Sequence, residues 1–230
     1  MLWVKAWLET RWRFSLMLGL GVLNIVMGEQ GGGLHSTANA RTFILAQLMI
    51  SILAAINLGG AGIQTQSPFR RKAGLHGSTH YTLSMPVSRG RLLAVRALLG
   101  FLETAGVITF MTISAWSLFP LVRADSTLLD LAKLLAAALA CILCFYSVSV
   151  TISTVLDEIW QFYGSVCLTG LAWWATAHLR VPSSANVFGF STEASPLITH
   201  SLPLPAMAIS LAASIALFLL ALTIVYTHEY

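Results

Sequence analysis

The sequence predicts an all-α integral membrane protein with six transmembrane helices, formed as a single domain over residues 1–230. Three observations carry that reading. Of the 230 residues 57% are hydrophobic and only 10% charged, and the mean hydropathy is +0.78. Apolar runs of about 20 residues, the length that crosses a bilayer, recur along the chain. The charged residues collect between those runs. A soluble domain of this length needs a large charged surface, whereas a chain in lipid must satisfy its backbone internally, which helices do.

Taken in order, residues 1–13 predict an interfacial amphipathic helix, because Trp3, Trp7, Leu8 and Trp12 alternate with Lys5, Glu9, Arg11 and Arg13. Tryptophan favours the headgroup level and basic side chains reach anionic lipid. An extended aromatic anchor is the alternative for this segment. The spans follow at 14–27, 42–63, 92–119, 128–155, 159–179 and 204–226. A signal peptide competes for the first 28 residues, but a small-residue cleavage site is missing.

Basic residues orient the bundle. Nine lie on the side of the N-terminus, six of them in residues 64–96 (Arg70, Arg71, Lys72, Arg89, Arg91 and Arg96), against Arg41, Arg123, Lys133 and Arg180 opposite. Both termini are therefore expected in the cytoplasm of a bacterial-type cell, with the chain multi-pass in the inner membrane. The net charge of +4 does not point to nucleic acid, since the basic residues border apolar spans and form no helical stripe.

Small residues predict where helices touch, because lipid supplies no hydrophobic force between spans. Ser51, Ala55 and Gly59 recur at four-residue spacing, as do Ala206, Ser210 and Ser214; Gly21 and Gly28 flank Asn24, and Ser147, Thr151 and Thr154 mark one face. Polar groups inside spans are few: Asn57, Arg96 and Glu103. Arg96 and Glu103 are seven residues apart, near one helical face, so water or a neighbouring helix can link them. A buried carboxylate needs a partner or a proton; Glu103 is either a gate or substrate contact, or a structural bond between helices. Asp130 and Lys133 read as interfacial.

Catalytic patterns are missing. The sequence holds no H-E-x-x-H, no G-x-S-x-G and no G-x-x-x-x-G-K-[ST] phosphate loop. Cys141 and Cys144 form a C-x-x-C, but within an apolar run and without a second pair or nearby histidine, so packing explains them, as it does Cys167. His76 and His80 are the one i, i+4 histidine pair and lack a further ligand. The chain is therefore not expected to be an enzyme; a haem-handling protein would have only His35, His178 and His200 to draw on.

The connection 64–91 remains, and a basic anchor alone accounts for its charge. The run THYTLSMPVSRGRLLAVRALLG (residues 79–100), however, resembles the region before the third span in membrane subunits of ABC-2 type transporters. Leu83, Ser84, Met85, Pro86, Val87, Ser88 and Arg89 stand in the Leu-x-Leu-Pro-Val-Ser-Arg pattern of that family, with Met85 in place of a leucine. Arg70, Arg71 and Lys72 replace an acidic residue frequent upstream. The resemblance implies a type V exporter-like arrangement and an ATP-driven permease whose connection 64–91 couples to a separate ATP-binding cassette ATPase. Coupling would fall to Leu75, Gly77, Thr79, Tyr81, Leu83, Pro86 and Arg89. It further implies that ATP and magnesium bind the ATPase and no cofactor binds this chain, and that the permease forms a homodimer or a pseudo-symmetric heterodimer. Pro182, Pro196, Pro203 and Pro205 break the outer segment before span six, where the family often has short re-entrant helices; there Phe188, Gly189 and Phe190 either help close the outer end or belong to a plain loop. The scarcity of buried charge favours an amphipathic or lipid-like substrate over a small ion. A scaffold that moves nothing is the alternative function.

Overall fold

A computed structural model describes residues 2–30, 37–60, 88–118, 123, 126–156, 158–191 and 195–227. Six long helices account for most of them: α1 (Leu2–Gln30), α2 (Thr37–Gly59), α3 (Arg89–Leu118), α4 (Leu128–Ser153), α5 (Glu158–His178) and, after a one-turn helix α6 (Pro196–Thr199), α7 (Leu204–Thr227). No strand occurs among the described residues. Three of these helices are long and apolar enough to cross a membrane, over Gly90–Ser114, Leu128–Ser153 and Leu204–Thr227.

The stretch expected at the interface and the first span are not separate helices. Residues 2–30 form one continuous helix. The physical reason is local: the stretch from Leu2 to Leu18 contains no glycine or proline to break the hydrogen-bond ladder. The alternation of Trp and charge is the surface of that rod, with Trp12 exposed and Ala6 and Thr10 buried.

Helix α4 lies at the centre, packing against α2, α3, α5, α6 and α7, while α1 covers α2 and α3. Its start is fixed by a capping box. The Thr127 hydroxyl accepts from the Asp130 amide, and Asp130 Oδ2 accepts from the Thr127 amide at 3.1 Å, so both orphan donors are satisfied.

The interior of α7 uses small and polar residues, and its exterior large apolar ones. On α7 the residues Ala206, Ser210 and Ser214 are buried, whereas Leu211, Ile215 and Leu219, four apart, are exposed. That inversion suits a helix with lipid outside. Ser210 Oγ donates to the Ala140 carbonyl at 2.7 Å, and Thr151 Oγ1 to the Leu217 carbonyl at 3.0 Å, so hydroxyls predicted from spacing to mark contact faces do bond across them. Close approach is also built on α2: a Cβ on Gly59 would stand 3.0 Å from the Tyr146 carbonyl oxygen.

Candidate functional site

Ionisable and amide side chains gather at one end of the bundle, where the N-terminal half of α1, the end of α2, the start of α3, the end of α4 and the start of α5 meet. Arg96 Nη2 of α3 lies 2.7 Å from Glu9 Oε2 of α1. One residue further along α1, the Thr10 hydroxyl donates to Glu103 Oε1, and one turn beyond that Arg13 Nη1 donates to the Asn57 carbonyl at 3.1 Å. Helix spacing explains the pairing: Arg96, Glu103 and the intervening Gly100 share a face, and Glu9, Thr10 and Arg13 face it. Two cations and two carboxylates thus balance within a poorly solvated contact. Arg96 Nη1 and Glu103 Oε2 have no hydrogen-bond partner among the described residues.

The last turn of α2 is satisfied by side chains rather than by further helix. The Ile56 carbonyl accepts from Ser149 Oγ at 2.6 Å and from Gln161 Nε2 at 3.0 Å, and those two groups lie 2.5 Å apart. Carbonyls at a helix end lack intrahelical donors, and here α4 and α5 supply them while Arg13 supplies the next. Fully buried Tyr146 donates to the Ala97 carbonyl at 2.5 Å. Gly100 leaves room for this: a Cβ there would lie 2.7 Å from the Leu58 oxygen and 2.8 Å from the Tyr146 hydroxyl.

At the other end Asp130 is buried, with His200 Nδ1 3.1 Å from its Oδ2. Lys133 Nζ donates to the His200 carbonyl at 2.7 Å. His200 adopts φ 53 as the C-cap of α6, a left-handed conformation that histidine enters more readily than most residues. Phe188 is buried against Phe145 and Trp173, both with ring centroids 5.0 Å away. Residues 180–191 and 195–203 are therefore packed onto the bundle end through a 3-10 turn (Gly189–Ser191) and α6.

Beside them lies an open cleft between α2, α3, α4 and the residues Phe190, Ser191, Ser195 and Leu197. Its lining contains no charged residue, and Trp116 Nε1 and Ser195 Oγ in it have no hydrogen-bond partner among the described residues.

The structure thus joins Arg96 and Glu103 through α1, each to its own residue there, and does not pair them directly. Asn57 contributes its carbonyl oxygen to the cluster. Arg89 is the first residue of α3; Leu75, Gly77, Thr79, Tyr81, Leu83 and Pro86 lie outside the described residues, as do His35, His76 and His80. Glu9, Thr10, Ser149, Gln161, Trp116 and Ser195 escaped sequence reasoning. The polar Gln161 near the start of an apolar run was the one legible signal among them. Among the described residues no three His, Cys, Asp or Glu side chains group to hold a metal.

No protein family, curated protein or solved structure matches this chain.

Proposed function

We propose that this chain is the membrane-spanning permease subunit of an ABC-2 type, ATP-driven exporter of an amphipathic or lipid-like substrate, working with a separate ATPase subunit as a homodimer or pseudo-symmetric heterodimer. In this reading all six long helices cross the inner membrane, with both termini cytoplasmic and residues 64–91 meeting the ATPase. The continuous α1, about 44 Å long at 1.5 Å per residue, then spans the headgroups as well as the hydrocarbon.

The observation that carries the reading is where the family-like run ends. LSMPVSR, residues 83–89, leads directly into α3, whose first turn is held by Ser88: its hydroxyl accepts from the Arg91 amide at 3.3 Å and its carbonyl from the Leu92 amide at 3.1 Å. A push delivered to residues 75–86 would enter a capped helix. Two turns along, Arg96 hands it to α1 through Glu9, and Gly100 to α2 and α4 through Leu58 and Tyr146.

Cysteine crosslinking tests this. A cysteine at Ser78 or Thr79 should capture an ATPase subunit bearing a phosphate-binding loop, while cysteines at Ser183 or Ser201 should not. Equal behaviour of the two sets removes the coupling role. A non-transporting scaffold predicts capture without ATP-dependent transport after reconstitution.

A further inference from the structure

Glu9 and Glu103 are the two carboxylates of the α1–α3 contact, and their partners differ in kind. Glu9 meets the Arg96 guanidinium at 2.7 Å, a group that donates hydrogen bonds, accepts none and stays charged. Such a partner holds Glu9 as a carboxylate. Glu103 instead meets the Thr10 hydroxyl, and a hydroxyl can donate or accept.

Thr10 also has a second acceptor. Its Oγ1 lies 3.2 Å from the Ala6 carbonyl oxygen, one turn back along α1. Beside an ionised Glu103 the hydroxyl donates to Oε1. Beside a protonated one it accepts from the carboxyl O–H and turns its own hydrogen to Ala6, so the link between α1 and α3 holds in both states.

Glu103 is only 4% exposed, its Oε2 has no hydrogen-bond partner among the described residues, and it stands at the middle of Gly90–Ser114, a stretch able to cross a membrane. A bare carboxylate oxygen is costly there, whereas in the acid form Oε2 is a neutral carbonyl oxygen. The surrounding charges leave room for either state. From α1 come Glu9 and Arg13, whose Nη1 donates to the Asn57 carbonyl; α3 itself adds Arg96, and α4 adds Tyr146, whose hydroxyl donates to the Ala97 carbonyl. On this side α2 presents the Asn57 and Leu58 carbonyls, its one charged residue, Arg41, lying near the opposite end. Helix α7 brings only Tyr226, at Gly90. Carboxyl groups inside membrane spans mark proton relays as well as ion and substrate paths, and a proton is the one ligand that needs no cavity. We propose that Glu103 is a proton-binding site, taking one proton from bulk water onto Oε1 and returning it there while Glu9 stays ionised and the Thr10 contact is kept. The site needs only this chain, so its success or failure is separate from that of ATPase coupling.

The test is infrared difference spectroscopy on the full chain reconstituted in lipid and titrated around neutral pH. A carboxylic-acid C=O stretch should grow as the pH falls. It should be lost in Glu103→Gln and kept in Glu9→Gln. Thr10→Val, which removes the hydroxyl partner, should shift the band to higher frequency, whereas Thr10→Ser should leave it in place. Growing the chain on heavy-carbon glutamate lowers the frequency of the band and so identifies it as a glutamate's. The Thr10→Val shift then decides the question even if Glu103→Gln does not fold. Absence of such a band from the unmodified chain, its persistence in folded Glu103→Gln, or its indifference to Thr10→Val overturns the proposal.

Discussion

Glu9 and Arg96 face each other at 2.7 Å across the α1–α3 contact, and the Arg96 side chain is only 4% exposed. An ion pair so placed is weak evidence of net stability, because desolvation offsets the attraction, but losing one partner strands the other. Glu9→Ala and Arg96→Ala should each destabilise the protein by about 3 kcal/mol. Glu9→Leu with Arg96→Met should destabilise it less than either single change. Thermal unfolding in one detergent checks the order; additive losses would mean that the two charges are solvated separately.

Gly100 makes a sharper case, since a methyl group there meets the Leu58 backbone oxygen and the hydroxyl of fully buried Tyr146. Gly100→Ala should lose about 1–3 kcal/mol through overpacking, whereas Gly19→Ala and Gly170→Ala, where a Cβ meets nothing within 4 Å, should lose none. The same unfolding assay separates them.

Ser149 and Gln161 both donate to the Ile56 carbonyl, so either alone still leaves it bonded. Each of Ser149→Ala and Gln161→Leu should therefore cost about 1 kcal/mol. Together they orphan the oxygen, and the double variant should lose more than the sum. A strictly additive cycle would show that a solvent molecule replaces the missing donor.

At the opposite end, Thr127→Ala and Asp130→Ala both remove the capping box and should weaken α4 by about 1 kcal/mol. Asp130→Ala also releases His200. Hydrogen exchange should then speed in the first turn of α4 for both variants, but in residues 199–203 only for Asp130→Ala. Acceleration of 199–203 in Thr127→Ala as well would place the tie elsewhere.

Helix positions were legible because an apolar run of fixed length is a property of consecutive residues. The expected span 128–155 and the observed α4, Leu128–Ser153, differ only where the chain turns at Thr154. The stripes of small residues were legible for the same reason. Pairings between distant residues were not. Glu9 read as one charge on an interfacial face because alternating Trp and charge fits a helix lying on a membrane as well as one standing in a bundle. Nothing near Ser195 in sequence signals that its hydroxyl forgoes the cap, since that depends on the cleft formed by α2, α3 and α4. Glu103 was conspicuous as a carboxylate in an apolar run, but its partner Thr10 lies 93 residues away.

The unbroken course of α1 has a mechanical consequence. A surface helix joined by a bend to a separate span would absorb displacement at the bend, whereas one continuous helix has no such joint. In its second half Gly21 seats directly on Met111, where an added Cβ would lie 3.1 Å from Met111 Cγ. With Glu9 held by Arg96 on one side of that seat, the same unbroken helix is tied to α3 at two separate depths.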